Sequence, residues 1–197
     1  MLESQKVETV NIVASGRFNI ELDLAAVAED LRELDRWIDE VEHSRNNGNR
    51  LLIDFTNNEA RGILSPSGVY VFTGAKNHEK IDDARSKLSE SLSTLGIISS
   101  SNPTSDEIID VFETQNVVCT ADLRKEINLN AIAIGLGLEN TEYEPEQFPG
   151  VIYRPDNHSC TILLFATGKV VITGVQNKDT AQQAFDQLEN RLKSLLS

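Results

Sequence analysis

The feature that most constrains this chain is that it repeats itself. At an offset of 105, Asn11, Val13, Leu24, Ala26, Ala28 and Leu31 meet Asn116, Val118, Leu129, Ala131, Ala133 and Leu136. At an offset of 100, Gly68, Val71, Thr73 and Gly74 meet Gly168, Val171, Thr173 and Gly174, and Ala84, Leu88, Leu92 and Leu95 meet Ala184, Leu188, Leu192 and Leu195. The difference, 105 − 100, leaves five extra residues in the first copy, between about Leu34 and Arg50. Two copies of a unit of roughly 90 residues are too few for a solenoid and imply a pseudo-twofold body. The expected division is a divergent first repeat over 1–97, a linker over 98–107 and a well-preserved second repeat over 108–197. Serines, Asn102 and Pro103 break regular structure in that linker.

Each copy has the same grammar. An alternating strand, VNIVAS or QNVVCT, precedes a short helix beginning near Leu24 or Leu129; β-rich runs follow, EYEP, GVIYR and TILLFATGKVVITG in the second copy, and then a closing helix. In that last helix Ala184, Leu188, Leu192 and Leu195 form an apolar stripe that predicts packing on a sheet. The order β-α-β-β-β-β-α, twice, predicts an α+β fold with helices on one side of an antiparallel sheet. Strand alternation then puts Asn11, Val13 and Ser15 in one copy, and Asn116, Val118 and Thr120 in the other, on the uncovered face. Val71 with Thr73, and Val171 with Thr173, share a side as well. Small apolar groups, a few hydrogen-bonding ones and almost no carboxylates make that face read as a binding surface.

Composition narrows the function. The chain is 40% hydrophobic, enough for a core, yet runs such as VYVF and TILLF are far shorter than the roughly 20 residues of a membrane span. MLESQKVETV lacks the apolar stretch of a secretory signal, so the expected location is intracellular, the cytoplasm or nucleoid of a prokaryote-like cell. Cys119 and Cys160 read as small apolar fillers in strands, with no metal-ligand spacing around them. His43, His78 and His158 stand alone, and Gly-Leu-Gly at 135–137 ends a helix without a phosphate-binding pattern, so neither an enzyme nor a cofactor or metal is expected. A net charge of −13 argues against general affinity for nucleic acid, although a sum does not describe one face.

QNVV, EYEPEQFPGVIYR, LLFATGKVVITG and FTGAK resemble the TATA-box-binding protein family of archaea and eukaryotes over nearly the whole chain. The resemblance implies a saddle: a curved ten-stranded antiparallel sheet with four helices on the convex side, its concave face in the DNA minor groove. It also implies a general transcription initiation factor that binds A·T-rich promoter DNA, bends it and recruits transcription factor B. Phe148, in a turn with Pro149 and Gly150, and Phe165 occupy the positions of wedges that pry open a base step. Asn11 and Asn116 match asparagines that hydrogen-bond minor-groove acceptors, with Thr73 and Thr173 beside them. Val13, Val71, Val118 and Val171 match an apolar floor, which suits A·T pairs because a guanine amino group would collide with it. Arg154 and Lys169 match phosphate contacts, and Glu144, Glu146 and Gln147 lie in the second stirrup, the loop gripped by transcription factor B. The bare apolar face also makes a homodimer of the free chain an expectation.

The first copy departs from this pattern. Ser65 stands opposite Phe165, Gly48 opposite Phe148, Asp54 opposite Arg154 and Val69 opposite Lys169. Phe55, after LLID in a strand, is expected to face the helices, with a displaced wedge as the alternative, and Trp37 to pack beneath the first helix. Weaker, lopsided bending follows, and with the acidic total a shallow or inverted salt dependence of DNA binding. The alternative reading is a non-catalytic paralogue that holds transcription factor B through the second stirrup, with little DNA binding of its own, as a regulator or scaffold.

Overall fold

The computed structural model describes residues 6–34, 36–46, 48–98 and 112–196, with ten strands and four helices among them. Two compact units emerge. One holds residues 11–115; the other holds residues 116–197 together with the described residues up to Val10.

The first unit contains β1 (Glu8–Arg17, from Asn11 on), α1 (Leu24–Glu33), β2 (Ile38–Ser44), β3 (Arg50–Phe55), β4 (Arg61–Leu64), β5 (Val69–Ala75) and α2 (His78–Thr94). Its strands run antiparallel in the order β2-β3-β4-β5-β1. The second unit contains β6 (Glu113–Asp122, from Asn116 on), α3 (Leu129–Leu136), β7 (Thr141–Glu142), β8 (Gly150–Tyr153), β9 (Thr161–Phe165), β10 (Lys169–Val175) and α4 (Lys178–Leu196). Its order, β6-β10-β9-β8-β7, repeats the first, again antiparallel throughout.

Helices start where side chains satisfy the first free N–H groups. Asp23 accepts from Ala25 and Ala26, Asn77 from Lys80, Asn128 from Ala131 and Asn177 from Thr180. α1 packs on β2 and β3 and α2 on β5, while α3 packs on β7 and β8 and α4 on β10. The cores are the facing stripes: Ile81, Ala84, Leu88 and Leu92 beneath α2, and Ala181, Ala184, Phe185, Leu188 and Leu192 beneath α4. The expected α+β arrangement is present in each unit. No helix among the described residues is long and apolar enough to cross a membrane.

Three expectations need correction. Leu195 is 43% exposed, beyond the sheet, where its methyl groups lie over Gly135 of α3. Of EYEP only Glu142 is in a strand; Tyr143, Glu144 and Pro145 belong to the following loop, since the turn bonds at Glu144 replace the ladder. Trp37 does not pack beneath α1: with a φ of 66° it turns the chain from α1 into β2, half-buried, with the Arg36 guanidinium 3.9 Å from its ring centroid. The five extra residues of the first copy do fall within the expected span from Leu34 to Arg50. Glu42 pairs with Leu52 and Glu142 with Ile152, an offset of 142 − 42 = 100 already in force, so the insertion lies between α1 and Val41. Most of the expected linker, 99–107, lies outside the described residues.

Cys119, in β6, and Cys160, which lies just before β9 rather than in a strand as expected, are buried fillers, and desolvation pushes both thiols up. Phe55 is buried against Phe72, with ring centroids 6.0 Å apart, and takes no part in the open face.

Candidate nucleic-acid interface

Along β1, β3, β4, β5, β6, β9 and β10 buried side chains alternate with half-buried or exposed ones, and the alternate ones form a face that no described helix covers. On the first unit it carries Asn11, Val13 and Ser15 from β1 and Val71 and Thr73 from β5, all half-buried. On the second it carries Asn116, Val118 and Thr120 from β6 and Val171 and Thr173 from β10. Leu52 and Ile63 extend the apolar floor in the first unit, and Ile152 and Leu163 in the second. These four were missed in the sequence, although their offset of 100 and their place in alternating runs were the signal that finds them.

The asparagines are fixed in the same way in both units. β5 and β10 each bulge against their partner strand, next to Gly74 and Gly174, whose φ values of 96° and 82° suit glycine. The bulge turns a backbone N–H toward the open face. Gly74 N–H donates to Asn11 Oδ1 at 2.7 Å, and Gly174 N–H donates to Asn116 Oδ1 at 2.8 Å. Thr73 Oγ1 lies 3.3 Å from Asn11 Oδ1, and Asn116 Nδ2 donates to Thr173 Oγ1 at 3.0 Å. A backbone N–H can only donate, so the amide oxygen is the anchored atom, and the N–H2, of which Asn116 gives one hydrogen to Thr173, keeps a donor for an outside partner. That partner must offer acceptors.

Phe148 and Phe165 meet on the open face of the second unit. Both are half-buried, with centroids 5.7 Å apart and planes at 62°, edge to face. The loop holds Phe148 through its N–H, which donates to Glu144 O at 2.9 Å, and Gly168 N–H donates to Phe165 O at 2.8 Å. Gly150, paired with Phe165 across β8 and β9, lets the rings approach. A Cβ there would lie 2.9 Å from Phe148 Cε1 and 3.2 Å from Phe165 Cε1. Glu144, Glu146 and Gln147 are exposed on the same loop, with Gln147 Nε2 donating to Glu144 Oε2.

The charges correct the expectation of a face almost free of carboxylates. Lys169 binds Asp122 at 2.7 Å, Arg154 binds Glu142 at 2.7 Å, and both cations are mostly exposed. In the first unit Asp54 does stand where Arg154 stands in the second, yet Arg61, directly opposite it in the ladder, grips it with two hydrogen bonds of 2.7 and 2.6 Å. Arg61 holds the Asp54 carboxyl below its usual range, and Lys169 does the same for Asp122. Glu40 and Glu42 stand nearby and raise Arg61 further. Arg61 was overlooked in the sequence; a charged residue seven places from Asp54 across a hairpin was its only signal. Ser65 keeps the backbone turn of Phe165, with Gly68 N–H donating to Ser65 O at 3.0 Å, but brings no ring.

The family described as transcription factor TFIID, or TATA-binding protein, matches residues 6–95 and 111–195. TATA-box-binding protein 2 of Haloferax volcanii is 40% identical over 192 residues, covering 98% of this chain and 96% of that protein. TATA-box-binding protein C of Halobacterium salinarum is 37% identical over 190 residues, covering 96% and 99%. The solved Methanococcus jannaschii TBP shares the fold with a TM-score of 0.75 at 32% identity, covering 96% of this chain and 99% of that one.

Proposed function

This chain belongs to the TATA-binding protein family, whose members are non-catalytic transcription factors, and from that premise we propose that it is a general initiation factor that binds A·T-rich promoter DNA in the minor groove. The carrying observation is the anchored asparagine pair. With each Oδ1 occupied by a glycine N–H, Asn11 and Asn116 offer donors to the A N3 and T O2 acceptors, the groups an A·T pair shows in that groove. Val13, Val71, Val118 and Val171 supply the floor that excludes a guanine amino group, and Thr73 and Thr173 steady the amides. Phe148 and Phe165 wedge a base step and bend the duplex. Arg154 and Lys169 take phosphates after parting from Glu142 and Asp122.

Glu144, Glu146 and Gln147, exposed on the loop before Phe148, are the surface offered to transcription factor B. The factor works inside the cell, and the free chain pairs with a second copy through its uncovered face. The loss of rings at Gly48 and Ser65 favours a second reading, a paralogue that holds transcription factor B and needs it to stay on DNA.

Gel retardation of an A·T-rich duplex, with and without transcription factor B, separates these readings. Retardation by the chain alone supports the initiation factor, retardation only with the partner supports the paralogue, and none in either case overturns DNA binding. Glu144→Arg is expected to abolish the ternary complex and leave the binary one intact.

A further inference from the structure

We propose that this protein kinks its DNA at one end only, so that a single flexible pyrimidine–purine step, met by the second unit, fixes which way round the protein sits. The inference rests on the DNA-binding reading above.

The duplication supplies its own control. In the second unit two rings share one seat, with Gly150 beneath them and the turn at Gly168 behind. In the first unit the matching backbone is present and the seat is empty of rings: Ser65 replaces Phe165, Gly48 replaces Phe148, and Arg50 stands where Gly150 lets the rings close. No other ring of that unit takes over, among the described residues. Phe18, Phe55, Tyr70 and Phe72 are buried; Phe112 stacks on Tyr70 under Arg85; Trp37 lies in the turn after α1.

Electrostatics point the same way. Arg61 on the open face of β4 is paired with Asp54 just as Arg154 and Lys169 are paired with Glu142 and Asp122, but it has Glu40 and Glu42 beside it in addition, so the first end is the less attractive to phosphates. A body with equal wedges would pay the unstacking cost at both ends and have two nearly equivalent orientations. Here the cost falls on one step, and placing that step at the wrong end raises the energy of the reversed complex alone.

The test uses four duplexes with the same A·T-rich centre and a TA step at one end, at the other, at both or at neither. Thr167, exposed in the turn behind Phe165, is replaced by cysteine and carries a DNA-cleaving reagent, the native Cys119 and Cys160 being buried. Both one-step duplexes are expected to bind within about twofold of the two-step duplex, with cleavage following the step, and the duplex with none about tenfold or more weaker, as one unfavourable step typically costs. Ser65→Phe with Arg50→Gly should make the second step matter. Equal cleavage at both ends of a one-step duplex, or a tenfold preference for two steps, overturns the inference while leaving DNA binding intact. If no duplex is retarded even with transcription factor B, both readings fail together.

Discussion

Replacing Gly150 by alanine puts one methyl group into the space where the two wedge rings meet. The new Cβ would lie 2.9 Å from Phe148 Cε1, 3.2 Å from Phe165 Cε1 and 2.9 Å from Leu164 O. Carbon contacts settle near 3.5–4.0 Å, so the Phe148 ring must retreat by about 0.6–1.1 Å and the Phe165 ring by about 0.3–0.8 Å. Leu164 O gives little, because residue 164 is paired on both sides, with Val151 and Val170. Gly150 is not among the residues with positive φ, so alanine brings no backbone strain, and relative to glycine in a strand it recovers about 0.5–1 kcal/mol. Overpacking costs about 1–3 kcal/mol, leaving a net loss near 1 kcal/mol and a fall in Tm of about 2–4 °C. The functional effect should exceed that. Rings displaced by up to about 1 Å no longer enter the base step together, and affinity should drop about tenfold with a smaller kink. Thermal denaturation, gel retardation and end-to-end energy transfer on a labelled duplex read the three quantities. In a Phe148→Ala background the stability loss should shrink, since the main clash is gone. Unchanged affinity and kink angle in Gly150→Ala would refute the shared-seat argument.

Three further outcomes are expected. Asn116→Ala removes the acceptor of Gly174 N–H, so stability should fall by about 1 kcal/mol in chemical denaturation and DNA affinity by about tenfold or more in retardation. Asp122→Asn releases Lys169, which should raise affinity at low salt and steepen the plot of log K against log salt by up to about one unit; the parent should show a shallow or inverted slope. Ser91, fully buried in α2 with no partner for its hydroxyl among the described residues, should give a more stable protein when replaced by alanine, by roughly 1 kcal/mol and a Tm rise of about 2–4 °C.

Repetition made most of the fold legible. Leu24 and Leu129 do open the first helix of each unit, because apolar spacing and the caps at Asp23 and Asn128 agree. Alternation put Asn11, Val13, Asn116 and Val118 on the uncovered side, since period two is all a half-covered strand requires. What sequence alone did not yield depends on register and long-range geometry. The bulge that aims a glycine N–H at each asparagine is invisible until strands are paired, and the match of Gly48 to Phe148 became firm only through the Glu42–Leu52 and Glu142–Ile152 pairs. The Asp54–Arg61 clasp escaped for the same reason, and Trp37 was misplaced because its left-handed turn runs against the preference of a bulky side chain.

The division of the chain between its two units has a practical outcome. Val7 is fully buried, and its N–H donates to Gln182 Oε1 at 2.8 Å, while Phe112 lies against Tyr70 and Phe72. The second unit therefore includes a short arm, up to Val10, from the opposite end of the chain, and the first runs on to residue 115, so a cut between the two repeats divides the chain at neither boundary. A fragment starting at residue 116 would leave Gln182 facing solvent, and one ending at Gly96 would strip Tyr70 of a ring neighbour. Fragment complementation, with both pieces mixed, is the form in which either half should regain its native melting behaviour.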